Sequence, residues 1–423
     1  MCSGLADRKE ATLSDLCVPY LGGKTKAALA GLLVTILLIA DVGVTYTFLT
    51  PAQPGATDFY SRWMGARAYI QQGLSPYSDE VSRQIQAGIY GRPLQPGEDL
   101  YLFAYPFYTA LLIAPLTLLP YPWAAAIWLV VLQASLVGAL LLALALYGWR
   151  PLPVLMVSLG LWTLLFYPHW RGLLLGQFVI LVLLFLTLTL WALSRRRDGL
   201  AGVALALTTI KPQIVFLVIP LLLIWAITQR RWRFVGAFAF TLGALLAASF
   251  LAQPGWLAGF LQHTLAYPTY TAYPPYILTS ATWVLAHVTL PIPGIPGEIG
   301  IALALLVGLG WAWWREARSG WISFHWTLGL TLVVSHLAVP RTATPNYVVF
   351  VLPLIPLFRH LYQQAGAFAL VAVLLVLFLG LWLVFLVLGV GIGDLAILIG
   401  MPLLMLLALF WGRRALAQPL GAN

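Results

Sequence analysis

Residues 123–147 read WAAAIWLVVLQASLVGALLLALALY, 25 positions without one charged side chain. A helix rises about 1.5 Å per residue, so this run is long enough to cross the roughly 30 Å hydrocarbon core of a bilayer. Further windows of the same character, or short by a turn or two, lie on both sides: 27–49, 102–118, 152–167, 173–193, 199–210, 213–227, 234–252, 299–314, 321–339, 347–358, 366–390 and 394–411. The whole chain of 423 residues is 61% hydrophobic and 9% charged, with a mean hydropathy of +0.91. Soluble domains average about 25% charged, so this chain cannot present an ordinary water-facing surface and reads as an all-α polytopic membrane protein.

The formal net charge of +10 does not point to nucleic acid, because the basic residues fall in short clusters between apolar runs instead of along one stripe. Arg8, Lys9, Lys24 and Lys26 precede the first window, and Arg195–Arg197, Arg230–Arg233, Arg315 with Arg318, Arg359 and Arg413–Arg414 follow later ones. Placing all of these inside puts both termini in the cytoplasm of an inner (plasma) membrane protein. Two cytoplasmic ends require an even number of crossings, so about twelve are expected, and window 152–167 or a neighbour fails to cross. The expected organisation is a cytoplasmic tail over 1–26, one membrane domain over 27–411 and a tail over 412–423. Residues 1–26 contain no apolar core before a cleavage site and do not read as a signal peptide. Cys2 and Cys17 have no partners at metal-ligand spacing, so neither a disulfide nor a zinc site is expected.

The loops sort by side. The outside receives a first loop over 50–101, the joint Lys211-Pro212, a second loop over 253–298, and the segment from His336 to Tyr347. Within the first, the interval from Pro51 to Pro106 concentrates carboxylates: Asp58, Asp79, Glu80, Glu98 and Asp99. Enzyme signatures such as Gly-x-Ser-x-Gly, His-Glu-x-x-His and the Walker loop are absent from the sequence. With no nucleotide site, an enzyme here takes an activated substrate from the lipid phase or the far side.

The candidate site is therefore the set of polar residues on the outer side: Asp58, Arg62, Arg67, His169, Arg171, Gln177, Lys211, Gln213, His263, His336, Arg341 and Asn346. A carboxylate beside fixed cations suits a displacement in which a hydroxyl loses its proton and a phosphate departs with negative charge. Each residue also has a plainer reading. Asp58 before Phe59-Tyr60-Ser61-Arg62 is a good N-cap. Arg62 and Arg67 fit the solvated face of an interfacial helix, and His169 and Arg171 fit a membrane boundary. Gln177 fits an interhelical hydrogen bond, Lys211 a snorkelling side chain beside a proline break, and His263 a surface histidine. Asp41, inside the first window, is either functional or a partnered structural carboxylate. Tyr105 and the tyrosine–proline run with Tyr270, Tyr273 and Tyr276 form either an aromatic belt or a lid that stacks on an acceptor.

Asp58-Phe59-Tyr60, Gly73-Leu74-Ser75-Pro76-Tyr77, Tyr105-Pro106-Phe107 with Pro115, Gly176-Gln177, Lys211-Pro212 and Arg231-Trp232-Arg233, in that order and spacing, resemble glycosyltransferase family 87. Pro345-Asn346-Tyr347 is a fainter echo. The resemblance implies a GT-C-type helical bundle with short interfacial helices in the first outer loop. It implies an inverting transfer of a sugar, mannose above all, from a polyprenyl-phosphate-linked donor to a lipid or glycan acceptor, with no cofactor. It places the catalytic carboxylate on Asp58 and the donor phosphate or sugar at Gly176, Gln177 and Lys211. Arg62, Arg67, His169, Arg171, His336 and Arg341 join the donor site by topology, and Tyr105, the three loop tyrosines and Asn346 join the acceptor or lid. The rival reading is a transporter or lipid flippase whose substrate site lies at the broken helices around Lys211.

Overall fold

The computed structural model describes residues 23–50, 57–270, 280–339 and 342–420. Those residues are helical with connecting turns, and no strand occurs among them. That is the outcome expected where lipid offers no hydrogen bonds and every backbone group must be satisfied within its own segment.

Helix α1 (Gly23–Phe48) packs mainly against α5 (Tyr121–Leu146) and exposes most of its surface. Tyr46 stacks on Trp123 at their shared end, with ring centroids 3.9 Å apart. Between them α2 (Thr57–Gln72) and α3 (Asp79–Tyr90) form the first loop, and α4 (Tyr108–Ile113) continues into a 3-10 turn over Ala114–Leu118. Ser78 caps α3 by accepting from the Val81 amide at 3.3 Å, and Gly91, at φ +67°, closes the other end. Val81, Ser82, Ile85 and Gln86 face inward at helical spacing while Asp79 and Glu80 face out. Such a helix lies along the bundle surface instead of crossing it.

The interior is built on α5, α8 (Val179–Ser194) and α9 (Asp198–Leu207). Ala125, Leu132, Leu136, Ala139 and Ala143 form a stripe of small and medium side chains on the buried face of α5. Small residues let helix backbones approach closely, which is how helices gain contact when the surrounding solvent is itself apolar. Gly202 does the same between α9 and α12 (Trp232–Ala252), where an added Cβ would stand 2.6 Å from the Phe234 carbonyl oxygen.

Six helices among the described residues are long and apolar enough to cross a membrane, or seven if the pair α7 (Tyr167–Leu174) and α8, bent by 119°, counts as one span. The apolar segments Tyr108–Leu118, α6 (Pro153–Leu165), Asp198–Ile210, α11 (Val218–Thr228) and α16 (Phe324–Ala338) are shorter. The expected figure of about twelve is thus met by length only for six or seven. Window 152–167 is α6 together with the start of α7, and window 173–193 is divided by the α7–α8 bend. The chain then runs through α10 (Pro212–Val215), α13 (Trp256–Tyr270), α14 (Ser280–Thr289), α15 (Ile295–Arg318), a 3-10 turn over Thr344–Phe350, α17 (Val351–Trp411) and α18 (Arg413–Leu416). Gly366 and Gly389, at φ +79° and +77°, break α17.

Residues of two of the basic clusters are held at helix ends. Trp321 donates to the Thr228 hydroxyl at 2.9 Å, Arg231 grips Asp198, and Arg413 lies over the Trp326 ring.

Candidate active site

Irregular backbone at membrane depth is tolerated where it is buried in protein or lines a cavity. Among the described residues, breaks at Gly176-Gln177, at Lys211-Pro212 and over Thr344–Phe350 are of this kind. Their side chains meet, and the start of α2 meets them.

The first break lies between α7 and α8. Gly176 sits at φ +62°, a left-handed conformation that costs a residue with a Cβ about 1–2 kcal/mol. The Trp128 indole on α5 donates to the Gly176 carbonyl at 2.9 Å, and the Gln177 backbone N–H donates to Gly172 O at 2.9 Å. Together these fix the root of the Gln177 side chain. Gly176→Ala should therefore displace Gln177 and lower the protein's activity by about tenfold, the rate equivalent of about 1.4 kcal/mol, with little loss of folded protein in detergent. Activity at the wild-type level would show that the turn's conformation does not matter.

At the second break the chain leaves the 3-10 turn Thr208–Ile210, passes Lys211 at φ −135°, ψ 76°, and enters α10 with Pro212 at its first position. A residue before proline is driven out of the α region, so the break is written into the dipeptide. Lys211 is buried, and its Nζ donates to Gln177 Oε1 at 2.7 Å and to Asn346 Oδ1 at 2.8 Å. Lysine has no acceptor, so both amides must turn their oxygens toward it and their NH2 groups away. The Gln177 NH2 then donates to Asp58 Oδ2, and the Asn346 NH2 donates to Thr342 Oγ1 at 3.0 Å.

The third break presents Asn346. Its backbone carbonyl lies 3.1 Å from His336 Nε2, whose Nδ1 lies 2.7 Å from Leu332 O. The His336 ring packs among Tyr347 and Phe350. His336 thus reaches the centre through the Asn346 backbone.

Asp58 is the second residue of α2, in the first turn, where the helix dipole favours a negative charge. Its carboxylate faces Gln177 and forms a loose pair with Arg62 at 3.7 Å, one helical turn on. Arg62 is buried, donates to the Tyr105 hydroxyl at 3.0 Å and lies 4.5 Å from the centre of that ring. Tyr105 and Lys211 are within interaction range of each other. One carboxylate and two cations leave the cluster net positive. Burial, and after it the Asp58 charge, raise the Asp99 carboxyl above its ordinary range, so a second acidic group of the first loop feels the centre. Asp79 and Glu80 are exposed, and Glu98 is bonded to Arg92 at 2.9 Å, as solvated loop charges would be.

The structure brings together Asp58, Arg62, Tyr105, Gln177, Lys211, His336 and Asn346 from the expected set. Among the described residues it does not bring in Arg67, His169, Arg171 or His263. Arg67 donates to Thr117 O and Leu119 O at 3.1 and 3.3 Å, tying α2 to the turn after α4. His169 is buried among Trp162 and Phe166, with Nδ1 2.7 Å from Thr163 O. Arg171 turns to Asp394 at 3.6 Å. Asn346 and Tyr105, expected at an acceptor or lid, stand beside Lys211 and Arg62. His263, expected at the surface, is buried with Nδ1 3.2 Å from Phe103 O, where Gly259 lets α13 close on the Tyr77 ring. Arg341, Tyr273 and Tyr276 lie outside the described residues, as does the side chain of Tyr270. Sequence reading passed over Trp128 and Thr342, and it gave Asp394 no role.

No three His, Cys, Asp or Glu side chains among the described residues gather as metal ligands would. Fold and centre together define a polytopic membrane protein with a buried, net-positive polar site held by broken helices. A family model for glycosyltransferase family 87 matches residues 103–340, more than half of the chain, and the chain belongs to that family. It is a glycosyltransferase by that membership. The match begins after Asp58, ends before Asn346, and extends well past Arg233. Neither curated proteins nor solved structures returned a match.

Proposed function

We propose that this protein moves a hexose, mannose first among candidates, from a polyprenyl-phosphate donor to a hydroxyl of a lipid or glycan acceptor at the outer face of the membrane. The observation that carries the reading is the Gln177 amide, which joins Asp58 at one end to Lys211 at the other. A base and a phosphate-binding cation thus stand on the two sides of one side-chain amide. The acceptor oxygen attacks C1 of the sugar while its proton passes to the Asp58 carboxylate. The bond from C1 to the phosphate oxygen breaks, its electron pair leaves with the polyprenyl phosphate, and Lys211 and Arg62 neutralise the charge that develops there. A single displacement from the face opposite the phosphate inverts the anomeric centre.

Mannosyl, glucosyl and arabinosyl polyprenyl phosphates, each supplied to the purified protein in vesicles with total membrane lipid as acceptor, test the reading. The expected result is one new glycolipid, identified by mass, of inverted anomeric configuration and formed with stoichiometric polyprenyl phosphate. Movement of the donor between leaflets with no product would overturn it in favour of a lipid flippase.

A further inference from the structure

A second buried polar cluster lies behind the centre, and nothing in the proposed reaction uses it. Its hub is Asp394, in the last segment of α17 and well past the family match. The chain reverses at Gly389, and Gly393 then passes so close that an added Cβ would stand 2.8 Å from the Phe385 Cα, which seats Asp394 against the bundle. Asp394 is 8% exposed. Its Oδ1 accepts from the Tyr167 hydroxyl at 2.9 Å and from the Thr344 hydroxyl at 2.7 Å, and its Oδ2 faces Arg171 at 3.6 Å.

Those three partners belong to two arms. Tyr167 and Arg171 are on α7, the helix that ends in the Gly176-Gln177 turn. Thr344 opens the 3-10 turn that carries Asn346 two residues later. Gln177 and Asn346 are the two amides that hold Lys211. The arms pack directly, since Gly172 on α7 lies against Pro345, and Tyr347 adds a bond to Leu398 O at 2.7 Å on the same segment as Asp394. A carboxylate can accept several hydrogen bonds at once, and burial makes a half-satisfied one expensive. We infer that Asp394 is a positioning residue for sugar transfer: it clamps α7 to the Thr344–Phe350 turn and so sets the distance between the two amides that hold Lys211.

The inference rests on the reading of Lys211 as the donor-phosphate ligand. Rates of transfer from labelled mannosyl polyprenyl phosphate in reconstituted vesicles would be compared for Asp394→Asn, Asn346→Ala and the double variant. Asp394→Asn should lower kcat/KM for the donor by about 30-fold, by analogy with the loss of a group that orients a metal-ligating side chain, with the acceptor KM unchanged. The defect should largely vanish in the Asn346→Ala background, because the clamp then has one arm without a function to position. Thr344→Val should reproduce the defect and Thr344→Ser should restore transfer, a pair that needs no change at Asp394 and keeps the proposal testable if Asp394→Asn does not fold. Additive losses in the double variant, or equal activity of the Thr344→Val and Thr344→Ser proteins, would overturn the inference while leaving the proposed function standing. Wild-type transfer by a Lys211→Met protein would instead remove the reading on which it rests.

Discussion

Replacing Asp58 by asparagine is expected to lower kcat for sugar transfer by about a thousandfold, in the middle of the range for loss of a positioned general base. The substitution keeps the side chain's shape and leaves an oxygen to accept from Gln177 Nε2, so the amide chain from Gln177 to Lys211 and Asn346 has no reason to rearrange. What disappears is the capacity to take a proton. Arg62 loses its loose partner at 3.7 Å, which makes the pocket more positive, so the donor KM should stay within about threefold of wild type or fall. Asp58→Glu carries a carboxylate on a longer arm and should recover only part of the rate, since catalytic groups displaced by about an ångström lose on the order of a hundredfold. Steady-state rates over a range of donor concentrations read these outcomes directly. An Asp58→Asn protein that retains a third of wild-type kcat would exclude Asp58 as the base, and the half-buried Asp99 would become the residue to test next.

How much of this centre could be read from sequence depended on whether the signal was local. The Lys211-Pro212 break is a property of two adjacent residues, and the structure has it where the dipeptide puts it. Asp58 stood out because the Asp58-Phe59-Tyr60 pattern that resembles the family is itself local. Arg62 and Arg67 were grouped, yet five helical positions place two side chains about 140° apart on a wheel of 100° per residue, so they could not share a target. One faces Tyr105, and the other reaches Thr117 and Leu119. Helices such as α5 and α8 are apolar on every face, so their pattern says that they are buried but not which way each residue points. The Trp128 bond to Gly176 O was therefore invisible, and so was the role of Asp394, which depends on a reversal at Gly389 and contacts 50 and 227 positions away in the chain. Only six or seven of the expected spans meet the length test, for a related reason. Hydropathy measures the length of an apolar run, whereas the α7–α8 bend turns one run into two short elements.

Lys211→Met should be nearly as damaging as the loss of Asp58, for a different reason. Methionine fills most of the volume but offers no donor, so Gln177 Oε1 and Asn346 Oδ1 lose the proton source they share. Two buried carbonyl oxygens left without a partner cost about 1–3 kcal/mol each, and the amides would rotate to escape that cost. A rotated Gln177 turns its NH2 away from Asp58, so one substitution disturbs both ends of the site. The departing phosphate also loses a fixed cation in a place that water screens poorly. Together these effects predict a fall in kcat of about 100- to 1,000-fold, the range for removal of one preorganised stabilising group, with a raised donor KM. Because Lys211 is buried, the size of the defect should be the same at about 0.05 M and 0.5 M salt, whereas a surface cation that merely attracts an anionic donor would matter less as salt rises. Lys211→Arg should not rescue the rate, since a planar guanidinium presents its donors in a different geometry from a compact ammonium and has no room to spread between two amides. A Lys211→Met defect that shrinks with added salt would show that Lys211 steers the donor from a distance, and a Lys211→Arg protein of full activity would show that charge alone, without the grip of Gln177 and Asn346, is what the reaction needs.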